Sequence, residues 1–440
     1  MSCEDFDRAL FNVVSASDYC DKVADGTHDS PKEVPDGRPL VTSKHLKNGK
    51  ILVENAYHIS QNDFDAVNKR SKVDPFDIIF SMIGTIGEIA QVKPEYPEFA
   101  IKNVGLFKLS DKSKSDWLKY FLQSPQGKNE VELRKKGSTQ QYVSLTDLRA
   151  LPIPVPKNSD FRDRVLGVLQ PIDDLIDSLQ AQNTVLELIA QTLFKSWFVN
   201  FDPVYAKAAG RESEGLSAEI AALFPSELEE SGLGLIPKGW KFSSIYEIAD
   251  IQYGAPFKSK EFNTLGNGRP LVRIRDLKTE EPGVFTPERN PRGYLLQGGD
   301  IVVGMDGEFQ SYIWGNDEAW MNQRVCVFHP KSVSSPFLRN TITPQLLAAE
   351  KDAVATTVIH IGKKDLDTFT AIRPSEQIQR TFDFIAQPLY DLIVANKLAT
   401  KRLAKIRDEL LPRLISGKIR IEEAEEALAD VIPSTEKQVA

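Results

Sequence analysis

The chain has 440 residues, 41% of them hydrophobic and 26% charged, with a formal net charge of −8. Such proportions suit a soluble globular protein of two to three domains, each large enough for its own core. No apolar run approaches the roughly 18 residues of a membrane span, and the acidic start Met1-Ser-Cys-Glu-Asp-Phe-Asp7 does not read as a signal peptide. Three scattered cysteines, Cys3, Cys20 and Cys326, argue for a reducing cytoplasm and against a disulfide frame or a zinc site.

The first predicted unit, residues 1–156, is mixed β with short helices. Pro75-Phe-Asp-Ile-Ile-Phe-Ser-Met-Ile83 and Ala100-Ile-Lys-Asn-Val-Gly-Leu-Phe-Lys-Leu109 read as strands, β-branched and aromatic between turn formers. Leu151-Pro-Ile-Pro-Val-Pro156 closes the unit as an extended edge. Residues 157–199 then carry Phe161, Val165, Val168, Ile172, Leu175, Leu179, Leu186, Ile189, Leu193 and Trp197 at three- and four-residue steps, one apolar stripe on a long helix. Residues 200–236 are rich in Pro, Gly and acidic clusters and predict a connector with a short helix near residues 218–223.

The second unit, 237–374, repeats the first. Gly299-Asp-Ile-Val-Val-Gly304 and Gln323-Arg-Val-Cys-Val-Phe328 are its matching strands, and Phe369-Thr-Ala-Ile-Arg-Pro374 its closing one. Residues 375–416 form a second helix with Ile378, Phe382, Ile385, Leu389, Leu392, Leu403, Ile406, Leu410 and Leu414. The two helices align without a gap at an offset of 217, so that Leu186, Ile189, Leu193 and Trp197 match Leu403, Ile406, Leu410 and Leu414. Pro171 and Pro388 hold equivalent positions and should each kink or interrupt their helix. The tail, 417–440, could hold a short, exposed, fraying helix from Ile421.

The units repeat more loosely. Arg38-Pro-Leu-Val-Thr-Ser-Lys-His-Leu-Lys47 returns as Arg269-Pro-Leu-Val-Arg-Ile-Arg-Asp-Leu-Lys278 at an offset of 231, whereas Pro156 and Pro374 differ by 218. A period above two hundred residues is a duplicated domain plus helix, not a solenoid. Two similar heads on one frame suit a target with two-fold character, duplex DNA first among them. The charge allows this. Lys+Arg against Asp+Glu count 21 to 22 over residues 1–150, 6 to 13 over 151–234, 17 to 16 over 235–374 and 10 to 11 over 375–440. The central segment alone supplies −7, and each nearly neutral head has room for one basic face, although neutralising DNA phosphates would then need help from a partner.

Several segments, taken together and in order, resemble the specificity subunits of type I restriction–modification systems. Leu193-Phe-Lys-Ser-Trp-Phe-Val-Asn-Phe-Asp-Pro-Val204, Ala221-Ala-Leu-Phe-Pro225 and Ile236-Pro-Lys-Gly-Trp240 are similar to that family's central conserved region, and Leu411-Pro-Arg-Leu-Ile-Ser-Gly-Lys-Ile-Arg420 to its C-terminal one. Asp25-Gly-Thr-His-Asp-Ser-Pro31, Leu40-Val-Thr-Ser-Lys-His-Leu-Lys-Asn-Gly49 and Gly137-Ser-Thr-Gln-Gln141 look like elements of its target-recognition domains. The resemblance implies an α+β architecture: two mixed target-recognition domains separated by two long antiparallel helices, a coiled-coil spacer, with a pseudo-two-fold repeat. It implies a non-catalytic subunit that binds a bipartite double-stranded DNA target, one half-site per domain. Two methyltransferase subunits would dock on it for adenine methylation and motor–nuclease subunits would join for restriction. S-adenosylmethionine, ATP and magnesium would sit on those partners, and the target adenine would flip into a partner's pocket.

Candidate DNA contacts follow from residue type. Arg134-Lys-Lys-Gly-Ser-Thr-Gln-Gln-Tyr142 joins three cations (Arg134, Lys135, Lys136) to Ser138, Thr139, Gln140 and Gln141 on a glycine-bearing loop. Cations hold phosphates and Gln can read adenine; the alternative is a solvated loop. At an offset of 218, Thr356, Thr357 and His360 match Ser138, Thr139 and Tyr142, with Lys363 beyond, while Val358 and Ile359 are equally readable as strand core. In the second head Lys258, Arg269, Arg273 and Arg275 are further candidates. Arg273 and Arg275 should share one face of a strand unless they pair with Asp276 or Glu280. Thr27, His28, Lys44 and His45 occupy comparable loop positions in the first head, although a lone histidine such as His28 or His45 is more often a surface or packing residue than a reader. In the spacer, Leu175, Leu179, Leu186, Ile189, Leu193, Trp197, Leu392, Leu403, Ile406, Leu410 and Leu414 should form the helix contact. The faces around Lys195, Trp197, Phe198 and Phe201 either receive a methyltransferase or bury against the second helix.

The sequence holds no Asn-Pro-Pro-aromatic methyltransferase loop, no phosphate-binding Gly-rich loop ending in Lys-Ser/Thr, and no metal-ligand spacing. A fused enzyme is thereby disfavoured. A stand-alone bipartite DNA-binding regulator is the main rival, with a purely structural coiled-coil adaptor behind it.

Overall fold

The computed structural model describes residues 6, 8–232, 234–354 and 360–429. They form two compact units. One runs to Asp174 and resumes at Ala404; the other is Leu175–Leu403. Each unit therefore holds one predicted head together with part of both long helices.

In the first unit the central sheet runs, in spatial order, Lys22–Asp25, Val104–Lys108, Ile78–Ser81 and Ile89–Gln91, with every neighbouring pair antiparallel. Ile78–Ser81 is buried along its whole length because both faces are covered, as its unbroken apolar run requires. Alternate residues go to opposite faces. Ile78, Phe80 and Phe107 meet the helix Lys112–Gln123 through Trp117, Leu118, Tyr120 and Phe121. Ile79, Val104 and Leu106 meet Val41, Leu46, Ile51, Phe99 and Ile101. The strand Glu33–Val41 runs parallel to Ala100–Ile101, with Leu40 opposite Ala100 and Val41 opposite Ile101. Among the described residues Pro152–Pro156 pairs only with Phe11–Ser15, the edge position its prolines demand.

The second unit repeats this plan with Ala249–Tyr253, Val325–Pro330, Ile301–Gly304 and Ser311–Ile313 in the same order. Arg269–Val272 runs parallel to Ala319–Met321, and Thr370–Arg373 closes on Lys241–Ser244. The duplication extends to one glycine. A Cβ on Gly26 would lie 2.5 Å from the Ile101 carbonyl oxygen, and one on Gly254 would lie 2.1 Å from that of Asn322. At this crossing two backbones touch, so only glycine fits.

The helices Ser159–Phe198 and Glu376–Ile415 have 40 residues each, about 60 Å at 1.5 Å per residue. The expected interruption at Pro171 and Pro388 does not occur, and each helix runs on through its proline. The turns around each proline are pinned on one face, by Val168, Leu169, Ile172 and Ile176 in the first helix and by Phe382, Ala386, Tyr390 and Ile393 in the second, all buried. That packing outweighs the roughly 3 kcal/mol of an interior proline. Within each unit the helices run antiparallel. Asp173 meets Arg407 in the first unit. In the second, Asn183 meets Asn396, and Phe194, Trp197 and Phe198 meet Phe382.

The stripe is only partly the seam. Trp197, Leu403, Leu410 and Leu414 are buried, and Leu175, Leu179, Leu186, Leu193 and Ile406 are half-buried. Ile189 and Leu392 are each 46% exposed, and their neighbours Ala190 and Ile393 are buried instead. The seam between them is polar: the Asn396 amide donates to Asn183 Oδ1 at 3.0 Å and Asn183 donates to the Ile393 carbonyl at 3.3 Å. A polar pair of this kind fixes register at some cost in stability.

Two further expectations change. The connector contains the expected helix Ala218–Leu223, but also a helix Asp202–Ala208 and the hairpin Leu228–Ser231 with Gly234–Pro237. Val204, Phe224, Ile236 and Trp240 anchor it in the core of the second unit. The helix Ile421–Ala429 is not wholly exposed either, because Ile421 and Ala424 are buried in the first unit's core.

Candidate nucleic-acid interface

In the first unit several loops converge on one end of the central sheet. Beyond Asp25, Thr27 bonds across to Ile101 at 3.0 Å and receives the Asn103 N–H at 3.1 Å. Val104 lies opposite Ser81, so Met82 and Ile83 flank Asn103. Val143 donates to the Met82 carbonyl at 3.0 Å, and Lys136 and Tyr142 exchange two backbone bonds. Residues 138–141 are thus the exposed tip of a small loop tied to this end. Lys102 N–H donates to the Val41 carbonyl at 2.9 Å, which brings in the turn Ser43–His45 with exposed Lys44. Of the candidates, Thr27, His28, Lys44, Lys136, Ser138, Thr139, Gln140 and Gln141 share this end.

The three clustered cations are not equivalent. Arg134 bonds Glu130 Oε2 at 2.6 Å and the Glu130 carbonyl at 2.8 Å, and Glu130 is only 4% exposed. Its guanidinium neutralises a buried carboxylate. Lys135 pairs with Glu132 at 2.5 Å. Lys136 pairs with Asp147 at 2.7 Å, and this bond, with one from Ser144, holds the Asp147 carboxyl below its ordinary range. Exposed pairs of this kind contribute about 0–1 kcal/mol, so Lys136 can exchange its carboxylate for a phosphate.

The second unit gathers the same set. Gly254 N–H donates to Val325, Ala255 to Met321, Asn322 to Val272, Met305 to Arg324 and Ile361 to Met305, all backbone bonds of 2.9–3.2 Å. Arg273, Arg275, His360 and, just beyond, exposed Lys363 therefore surround the start of Val325–Pro330. Contrary to the expectation from their spacing, Arg273 and Arg275 are not on a strand. The strand ends at Val272 and a turn of 3-10 helix, Ile274–Asp276, follows. Asp276 stops the strand by accepting from Arg273 N–H at 3.0 Å and Arg273 Nε at 3.2 Å, the alternative pairing weighed for it. Arg275 is exposed. Arg269 lies at the opposite end of its strand, bonded to Glu318 at 2.5 Å, and is not gathered with the others. Lys258 is exposed beside Glu288, which accepts its N–H at 2.8 Å. Thr356 and Thr357, with Val358 and Ile359, lie outside the described residues.

The residues with the most telling positions escaped the sequence reading. Asn103 and Arg324 each stand immediately before the central strand, and Asp306 lies across from His360. Their signal was available: Asn103-Val104 and Arg324-Val325 align at an offset of 221. Both lie inside segments whose sequence reads as strand, residues 100–109 and 323–328.

His45 confirms the duplication in another way. Its Nδ1 accepts the Thr42 N–H at 2.9 Å, the bond that Asp276 makes to Arg273. Burial, then Lys44, lowers its pKa against the opposing pull of a bond at Asn55. A depressed histidine pKa stabilises the fold fully above its ordinary value of about 6.5, and the contribution is lost as pH falls through the lowered value. His45→Asp supplies the acceptor used in the second unit. We expect it to reduce the stability lost between pH 7 and 5 by under about 1 kcal/mol, measured by urea unfolding at both pH values. An unchanged loss would remove His45 from the acid response.

With this geometry in place the comparisons with known proteins are decisive. Residues 32–188 and 237–407 each match the type I restriction modification DNA specificity domain. The chain belongs to the type I restriction–modification specificity-subunit family. It is 26% identical over 336 residues to the type I restriction enzyme HindI specificity subunit of Haemophilus influenzae, covering 64% of this chain and 72% of that one. It is 27% identical over 326 residues to the MjaIX specificity subunit of Methanocaldococcus jannaschii, covering 70% of each. Its fold resembles the crystal structure of a type I restriction–modification S subunit from M. genitalium, with a TM-score of 0.53, 16% identity and coverage of 93% of this chain and 97% of that one. The mixed helix-and-strand specificity-subunit fold with a repeated domain is therefore established. Among the described residues no helix is long and apolar enough to cross a membrane. Of the four residues weighed for docking, Trp197 and Phe198 are 1% and 4% exposed and belong to the core, whereas Lys195 is exposed and Phe201 half-buried.

Proposed function

We propose that each unit of this specificity subunit reads one half of a split double-stranded DNA target through the loops at its sheet end. The observation that carries this is the repetition itself: among the described residues, equivalent segments meet at the same end of the same sheet in both units, with different polar side chains. Shared backbone geometry with divergent side chains is what two heads reading different half-sites require. The chain supplies recognition and no catalytic group. Two methyltransferase subunits dock on it and motor–nuclease subunits join for restriction. S-adenosylmethionine, ATP and magnesium belong on those partners, and the assembly works in the cytoplasm. Carboxylates hold Arg134, Arg269 and Arg273, so phosphate neutralisation falls partly to the partners, which favours this reading over a stand-alone regulator.

The test exchanges residues 1–156 for the first head of another specificity subunit, with methylated sites mapped across the host genome. One half of the bipartite motif should change while the other half and its modified adenine persist. An unchanged motif would place recognition elsewhere.

A further inference from the structure

We propose that Asn103 and Arg324 are the paired base readers of the two units, Asn103 for an adenine and Arg324 for a guanine. The proposal rests on the reading of the sheet ends as DNA-facing, and it adds what that reading lacks: which side chains discriminate and for which base.

The two residues are equivalent by backbone. Each directly precedes the central strand, and each strand begins beside the crossing of Gly26 or Gly254. Each is next to a histidine–aspartate pair, although the histidines come from different loops. In the first unit the His28 imidazole lies 2.9 Å from Asn103 Oδ1 through Nδ1 and 3.1 Å from Asp25 Oδ2 through Nε2. Asp25 is buried and is also held by Arg70. In the second, His360 Nδ1 lies 2.6 Å from Asp306 Oδ1 and 3.3 Å from Arg324 Nη1, and Arg324 Nη1 lies 3.5 Å from the same Asp306 oxygen. A reader held in place before contact loses less freedom on binding.

Their chemistry fits bidentate reading. Asn103 Oδ1 has a second lone pair, so the imidazole leaves one acceptor and the amide hydrogens for the N6 and N7 edge of adenine. Arg324 has five N–H donors, and Asp306 occupies one side of them. Its side chain is 52% exposed, with donors left for guanine O6 and N7. Asn103 also adopts φ +54°, a left-handed backbone that asparagine tolerates better than most residues. This explains why no longer amide stands there.

The test maps methylation by the complete enzyme assembled with the full-length chain, wild type against Asn103→Gly and Arg324→Lys. Asn103→Gly keeps the positive φ while deleting the amide, and Arg324→Lys keeps the charge while deleting the fork. Each should relax one position of one half-site, an adenine for Asn103 and a guanine for Arg324. Preference for the native base there should fall roughly 5- to 150-fold, with the other half-site intact. Uniformly weaker methylation with an unchanged motif would make these residues phosphate contacts and overturn the proposal. So would relaxation at a different base, complete loss of methylation by a folded variant, or unfolding of both variants by circular dichroism. A wild-type enzyme with no bipartite motif would instead overturn the underlying reading of the sheet ends.

Discussion

Replacing Asp173 with alanine is expected to destabilise the first unit by about 3 kcal/mol, because it strands two cations in a half-buried site. Asp173 Oδ2 accepts from Lys119 Nζ and from the Tyr120 hydroxyl, both at 2.9 Å, and Oδ1 accepts from Arg407 Nη1 at 3.0 Å. Side-chain exposures of 18%, 21% and 26% for Asp173, Lys119 and Arg407 leave the site little water. Burial is the largest influence on the Asp173 carboxyl and would raise its pKa, yet Lys119 and Arg407 together hold it below the ordinary carboxylate range. Burial first, then Asp173, pushes the Tyr120 hydroxyl far up, so it stays a donor. The pH dependence has a definite sign. A depressed carboxyl pKa contributes fully above the unfolded value of about 3.9 and is lost as pH falls through the folded one. The gap between wild type and Asp173→Asn should therefore be wide at pH 7 and begin to narrow only as pH falls below about 4. Fluorescence of Trp117, the first unit's tryptophan, reports the unfolding. A cost under about 1 kcal/mol that is the same at both pH values would reduce the site to an ordinary surface pair.

This ionic site also shows where sequence reading stops. The helices were legible because forty residues of three- and four-step periodicity admit no other structure. Val104–Lys108 and Ile301–Gly304 were legible because short apolar runs between turn formers make buried strands. Asp173, Lys119 and Arg407 have no sequence signal, since their meeting depends on antiparallel helices and a head helix arriving together. The Arg273 and Arg275 pair failed for a local reason: Asp276 captures the backbone and turns a presumed strand into a 3-10 helix. Ile189 and Leu392 failed by one residue, where the polar Asn183–Asn396 contact sits in a seam assumed to be apolar. At the candidate interface, cations drew attention by composition, and Arg134 proved to be spent on Glu130. Asn103 is a single amide in a segment that reads as strand; its offset of 221 from Arg324 marks the two as equivalent, and the strand pairing adds where they lie.

Phe382→Ala should carry the other large penalty, about 3–5 kcal/mol, the usual range for deleting a buried phenylalanine. Its ring is fully buried and lies 5.1–6.0 Å from those of Phe194, Trp197, Phe198 and Phe337, all in edge-on geometries. Such pairs contribute beyond the area they bury. These residues belong to the first helix, the second helix and the helix Ser335–Val354 of the second head, so one side chain ties three segments. Trp197 extends the cluster to Phe224, and Phe198 extends it to Trp240, both in or beside the connector. A cavity here loosens all of them at once. Hydrogen exchange of the full chain should show lost protection across residues 175–403, while Val104–Lys108 of the first unit keeps its own. Phe382→Leu, which keeps most of the volume, should recover about half of the loss. Lost protection confined to the turn around residue 382 would mean that the aromatic cluster does not hold the second head to the helices. The extension of both helices' cores into separate units predicts the reverse pattern for Asp173→Ala, so the two substitutions together test whether each head is stabilised by its own share of the frame.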